Sequence, residues 1–276
     1  MKVFSIIGSL LASLQTAFSY NETQLNVGVW LSGAAYCNRD YYPDMKLAGP
    51  ASGFIYKETL YHPSTDINGY IGVLPSTRSI YIVIRGTSSI LNWIDDFQVQ
   101  LESYTTYPEC NCNVHTGFYK SVLGIANKTL HTLRILKAKY RFYSIVATGH
   151  SYGASTSLLL ALEMQKEGFS INVYNYGQPR IGDALFAKFA NTKIKQYWRM
   201  THARDTVPHL PPAEPFLYQH STTELFEDEE HVLHTCSSIV GEDPECANQY
   251  AFKETNTDDH SYYLQHYLDC GASTIQ

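Results

Sequence analysis

The chain has 276 residues, 20 Lys and Arg against 26 Asp and Glu (net charge −6), and 44% hydrophobic residues. That length and apolar share suit one large domain with an ample core. The mild negative charge argues against a nucleic-acid-binding class, and the 22 tyrosines are scattered, as packing residues and not as a carbohydrate platform.

Residues 1–19 have the pattern of a secretory signal peptide. Lys2 gives a positive start, Val3 to Leu14 an apolar stretch, and Ala17-Phe18-Ser19 a small-x-small cleavage site. Cleavage before Tyr20 leaves one domain over 20–276. No other apolar run approaches the roughly 20 residues of a membrane span, so a secreted, extracellular protein is expected. Six cysteines lie beyond the leader, at 37, 110, 112, 236, 246 and 270. An even number in an exported chain favours disulfides over metal ligation. Asn21-Glu22-Thr23 and Asn127-Lys128-Thr129 are acceptor sequons, making Asn21 and Asn127 candidate glycosylation sites.

Along the chain, residues 21–37 read as a helix capped by Asn21. Strands are expected over 53–56, 70–74 and 80–84, the last running into Arg85-Gly86-Thr87. Apolar residues at helical spacing (Val122, Ile125, Leu130, Leu133, Ile135) predict a long helix over 119–140. A β-branched run over 143–148 and a helical run over 154–162 follow. Further on come a strand over 171–176, a helix over 183–190 and a strand over 196–201. Strands alternating with helices indicate an α/β fold with a mainly parallel central sheet covered on both faces. No repeat, low-complexity tract or linker divides the domain.

Between the strand at 143–148 and the helix after it stands Gly149-His150-Ser151-Tyr152-Gly153. A serine hydroxyl becomes a useful nucleophile when a sharp strand-to-helix turn holds it exposed, with a helix N-terminus behind it. Such a turn leaves no room for side chains two positions away, and glycines stand there. The bland alternative is a glycine-rich loop with an incidental serine; the strand and helix in the right order favour the nucleophile elbow. A base and an orienting carboxylate must then follow. Asp205, in Thr201-His-Ala-Arg-Asp-Thr-Val-Pro208, comes directly after a strand, although it also fits a turn-forming residue beside Arg204. Six histidines follow it. His209 is embedded among prolines and reads as structural. His231 and His234 lie in or beside the acidic run Glu227-Asp-Glu-Glu230, which reads as a solvated loop. His260 opens an aromatic segment after a polar turn and fits the base, but the residues alone leave the choice among the six open. The acidic run with His231 and His234 matches no metal-ligand spacing, and no metal is expected.

Taken together, six co-linear stretches resemble the fungal-type (class 3) lipases of the α/β-hydrolase fold. They are Tyr81-Ile-Val-Ile-Arg-Gly-Thr-Ser-Ser-Ile-Leu-Asn-Trp-Ile-Asp-Asp96, Val114-His-Thr-Gly-Phe118, Thr148-Gly-His-Ser-Tyr-Gly153, Tyr176-Gly-Gln-Pro-Arg-Ile-Gly-Asp183, Arg204-Asp-Thr-Val-Pro-His-Leu-Pro-Pro212 and Asp259-His-Ser-Tyr-Tyr263. The resemblance implies Ser151 as nucleophile, Asp205 as orienting acid and His260 as general base. It also implies oxyanion donors at Thr87 and Tyr152, and no cofactor. Two positions depart from the pattern: the family usually has leucine where this chain has Tyr152, and glycine is common where it has Ala154. A tyrosine beside the nucleophile narrows or polarises the acyl pocket.

After the oxyanion strand, Ile90, Trp93, Ile94 and Phe97 recur at helical spacing and form one apolar face, with Leu91 beside it. An ordinary core-packing helix has the same pattern, but the segment resembles the family's short helical lid. The family pattern further implies a Cys37–Cys270 bridge; Cys236–Cys246 fits a surface loop, leaving Cys110–Cys112 as the remaining pair. The expected activity is that of a secreted triacylglycerol lipase. Its ester substrate would lie at an oil–water interface, with transient membrane or droplet contact and no obligate protein partner. A phospholipase A1 or a feruloyl-type esterase of the same fold is the alternative, and the apolar Trp93 face speaks against the feruloyl branch. A catalytically inactive lipase-like binding protein is the reading from another class.

Overall fold

The computed structural model describes residues 19–95, 98–237, 239 and 241–271. The leader expected over 1–19 lies outside these residues apart from Ser19, as does Phe97 of the expected lid face.

Asn21 caps helix α1 (Glu22–Ala34), its side chain accepting the Gln24 N–H. An antiparallel meander follows: β1 (Ile55–His62), β2 (Ile67–Leu74) and β3 (Ser79–Ile84). Next come the short helix α2 (Ile90–Asp95), strands β4 (Leu101–Ser103) and β5 (Asn113–His115), and the long helix α3 (Thr116–Lys139). Strand β6 (Ser144–His150) leads through the elbow into α4 (Tyr152–Lys166), then β7 (Ile171–Tyr176) and β8 (Gly182–Asp183). The remainder comprises α5 (Ala184–Lys193), β9 (Tyr197–His202), β10 (Tyr218–Gln219), β11 (Glu224–Glu227) and β12 (Leu233–Thr235). A terminal hairpin of β13 (Tyr262–Tyr263) and β14 (His266–Tyr267) closes the chain.

The main sheet runs β1-β2-β3-β6-β7-β9-β11-β12. From β3 to β11 every neighbouring pair is parallel, and only the outer strands are antiparallel. Alternation along β3 explains the layers. Ile80, Ile82 and Ile84 face the cluster supplied by α3 and α4 (Val122, Ile125, Leu133, Leu158, Leu162). Tyr81 and Val83 face α1, against Leu25 and Val29. A strand apolar on both faces is what a doubly covered sheet requires.

Three expectations need correction. Strand β1 continues well past position 56, because its polar residues Lys57, Glu58 and Thr59 lie on an edge strand that is only half-buried. A small second sheet, β10-β8-β5-β4, is built of strands two or three residues long, too short to show a period in the sequence. Glu227 is not in a solvated loop: it ends β11 and is 1% exposed, since β11 is flanked on both sides by β9 and β12. All three disulfides, Cys37–Cys270, Cys110–Cys112 and Cys236–Cys246, are formed.

Candidate active site

Strand β6 and helix α4 meet at Ser151, whose φ of 60° and ψ of −131° place it in a strained conformation that non-glycine residues occupy only when the surroundings enforce it. The enforcement is visible. Ser151 N–H donates to the Tyr176 carbonyl at 2.9 Å, tying the turn to β7. A Cβ on Gly149 would collide with the Gly153 backbone, and one on Gly153 with the carbonyl of Ile84. The two glycines therefore let the elbow press against the end of β3. That contact also brings the Arg85-Gly86-Thr87 loop beside Ser151, because Gly86 packs against the His150 carbonyl. Tyr152 opens α4, at the end of a helix where backbone N–H groups lack intrahelical acceptors. Thr87 and Tyr152 both line a cavity of 510 Å³, together with Trp93, His115 and Phe118. Burial pushes the Tyr152 hydroxyl up to about 12, so it stays neutral.

Asp205 and His260 come from loops far apart in sequence, and the backbone stitches these loops together. Asp205 forms a parallel bridge with Asn256. Thr206 N–H donates to the Asn256 carbonyl at 3.0 Å, and Asn256 N–H to the Arg204 carbonyl at 2.8 Å. Asp259 caps the arrangement by accepting the Arg204 N–H at 3.0 Å. Within this frame His260 Nδ1–H donates to both Asp205 oxygens, at 3.0 and 2.8 Å. Val207 N–H and the Tyr263 hydroxyl also donate to the same carboxylate. Burial, and then the neighbouring Asp205, hold Tyr263 well above the usual phenol range, so it remains a proton donor. With Nδ1 committed to Asp205, the other ring nitrogen of His260 is the basic one. His260 Nε2 and Ser151 Oγ are both buried and without a hydrogen-bond partner among the described residues.

Two supporting residues carried no separate sequence signal. His150 Nε2–H donates to the His260 carbonyl at 2.7 Å, and its ring lies 4.3 Å from that of His260. Burial, and then the nearby His260, hold His150 well below the usual imidazole range. A neutral His150 has one acceptor nitrogen, and Tyr36 hydroxyl donates to it at 2.6 Å. Tyr36 thus fixes the tautomer of His150, and His150 fixes the backbone of His260.

The remaining candidates fall into place differently. His209 is buried, and its carbonyl accepts from Arg180 Nη1 (at 2.5 Å), which fits a residue that holds its loop. His231 and His234 pair with Glu227 and Asp228, away from the elbow. In α2, Ile90, Trp93 and Ile94 are half-buried and Trp93 reaches the cavity, whereas Leu91 is 60% exposed. No residue of α2 is fully buried. Asn21 and Asn127 are both exposed.

Comparison with known proteins agrees with this geometry. Residues 81–214 match the Lipase (class 3) family. A lipase of Rhizomucor miehei is 31% identical over 92% of this chain and 72% of its own length. Secreted mono- and diacylglycerol lipase 1 of Fusarium solani is 31% identical over 59% of this chain and 48% of its own. A solved triacylglycerol lipase, described as having a serine protease triad as its catalytic centre, superposes with a TM-score of 0.83. It is 30% identical, over 90% of this chain and 96% of that one.

Proposed function

The chain belongs to the class 3 lipase family of the α/β-hydrolase fold, and on that premise we propose that it is a secreted lipase hydrolysing acylglycerol esters at lipid–water interfaces. The observation that carries the reading is the buried His260–Asp205 pair beside the elbow, with the serine oxygen and the basic nitrogen both uncommitted.

In the proposed reaction His260 Nε2 takes the Ser151 proton as Oγ attacks the ester carbonyl carbon. Asp205 stabilises the resulting imidazolium without taking its proton. Charge developing on the carbonyl oxygen is met by the backbone N–H groups of Thr87 and Tyr152, each worth about 3 kcal/mol in the transition state. The intermediate collapses, the C–O bond to the alcohol breaks, and His260 returns the proton to the departing oxygen. Water, deprotonated by the same nitrogen, then releases the fatty acid from Ser151. The cavity beside Tyr152 has a size ordinary for a ligand pocket and would take the acyl chain.

Helix α2 is the proposed lid. Its apolar residues are partly covered, and it follows an oxyanion residue directly. A helix held by so little burial can swing away when a lipid surface offers its apolar face another partner. Labelling by a fluorophosphonate tests the nucleophile: attachment at Ser151, and its loss together with all activity in a folded Ser151→Ala, is expected. Attachment at another serine overturns the assignment. Hydrolysis of long-chain triglyceride over phospholipid and methyl ferulate separates the lipase from the two esterase alternatives.

A further inference from the structure

We propose that His202, Glu227 and His231 form a binding site for a divalent transition metal, Zn²⁺ by its ligand chemistry, separate from the Ser151 centre. Parallel pairing of β9 with β11 sets His202 directly opposite Glu227. Neighbouring residues in register project to the same face of a sheet. Both are buried, at 5% and 1% exposure. The third group arrives by a turn: His231 N–H donates to the Asp228 carbonyl at 3.0 Å, and His231 has a φ of 62°. Its ring is thereby folded back to stack on His202, with centroids 5.7 Å apart and planes 14° apart. His231 Nδ1 lies 3.1 Å from Glu227 Oε1. One donor atom from each residue lies within 4.8 Å of the other two. Tetrahedral zinc donors are about 3.4 Å apart, as bonds of about 2.1 Å require, so the partly exposed His231 closes the set with a small movement.

The outer contacts are those a metal site uses. His202 Nδ1–H donates to the Asp259 carbonyl at 3.1 Å, which leaves its Nε2 lone pair as the available donor. Leu264 N–H donates to Glu227 Oε2 at 2.8 Å, leaving Oε1 to face the imidazoles. Charge balance points the same way. Among the described residues, the ion-pair partner of this buried carboxylate is His231, and neither Lys nor Arg pairs with it. A buried carboxylate is costly without a positive partner, and a bound dication would supply that charge. Two imidazoles and a carboxylate match the three-ligand zinc sites that keep an open position for water. Ca²⁺ and Mg²⁺ prefer all-oxygen shells. A second group, Glu224 with Cys236 and Cys246, is no competitor, because both sulfurs are in a disulfide and offer no thiolate. Since His202 holds the carbonyl just before His260, a bound ion would brace the loop that carries the base.

The test uses the full, disulfide-intact protein after treatment with a chelator. Calorimetric titration with ZnCl₂ should show one equivalent binding at micromolar or tighter Kd. At a hundredfold excess over Kd, the unfolding midpoint should rise by about 5–10 °C, and MgCl₂ and CaCl₂ should leave it unmoved. Co²⁺ should give the visible absorption of a four-coordinate ion. His231→Asn keeps a residue tolerant of positive φ; measured against its own metal-free midpoint, it should bind at least a hundredfold more weakly and show at most a small rise at the same ZnCl₂ concentration. His234→Asn removes the neighbouring surface histidine and should bind like wild type. No heat and no midpoint shift with wild type would overturn the proposal. So would binding that persists in His231→Asn or vanishes in His234→Asn.

Discussion

Trp93→Asp is the perturbation most revealing about α2. Full burial of an Ile or Trp side chain is worth about 1.5–3 kcal/mol. Ile90, Trp93 and Ile94 are only half-buried, so closure in water gains about 1 kcal/mol from each and about 3 kcal/mol in all. That corresponds to a closed-to-open ratio on the order of 100. An oil surface buries the same side chains in the open state and cancels the preference, so emulsification should raise the rate by at most about 100-fold. Trp93→Asp acts at both ends. It weakens closure, raising the rate on dissolved ester, and it penalises insertion, lowering the rate on droplets. The jump should shrink to a few-fold while Ser151 remains open to labelling. Turnover of a short-chain ester measured across its solubility limit reads both arms. A wild-type rate that saturates smoothly below solubility, with no rise as droplets form, refutes the lid and favours a fixed wall and an esterase.

Other expectations follow from the same geometry. His260→Ala should cut kcat by several orders of magnitude and His209→Ala far less; the reverse ranking would mean that the base is misassigned. Asp205→Asn should lose activity sharply by releasing the His260 tautomer, and unchanged kcat would remove Asp205 from the triad. Burial holds His115, His150, His209, His220 and His266 below the ordinary imidazole range. Below about pH 6.5 the unfolded chain therefore binds protons that the folded chain does not. Stability should be full above that pH and decline as pH falls toward 5. A flat unfolding midpoint from pH 7 to 5 would contradict the burial argument.

The elbow could be read from the sequence because everything that shapes it is local: a β-branched run, two glycines that permit close backbone approach, and a helix-forming run. Asp205 was readable for a similar reason, standing just past a strand. The base was not. What selects His260 among six histidines is the backbone ladder between residues 204–206 and 256, a contact that no spacing rule encodes. Glu227 misled for the opposite reason. It is the first of four acidic residues, and only its pairing with β9 shows that this one points inward while Glu229 and Glu230 turn out to solvent. His202 carries no sequence signal of its own, because its partners lie on another strand and on a turn beyond it. Tyr36 is a further case, since its hydroxyl meets His150 across the 114 positions that separate them.

The division of the site between two parts of the chain bears on its biosynthesis. Ser151, Thr87 and Tyr152 are set by β3, β6 and α4, whereas Asp205 and His260 depend on loops stitched together after β9. The residue that would activate the serine enters 110 positions after His150. A chain still emerging from the ribosome would thus carry the proposed nucleophile before its proposed base. Hydrolytic power would arrive only when the loops at 204–206 and 256–260 dock, so the order of synthesis sets activation of the proposed nucleophile after the formation of its turn.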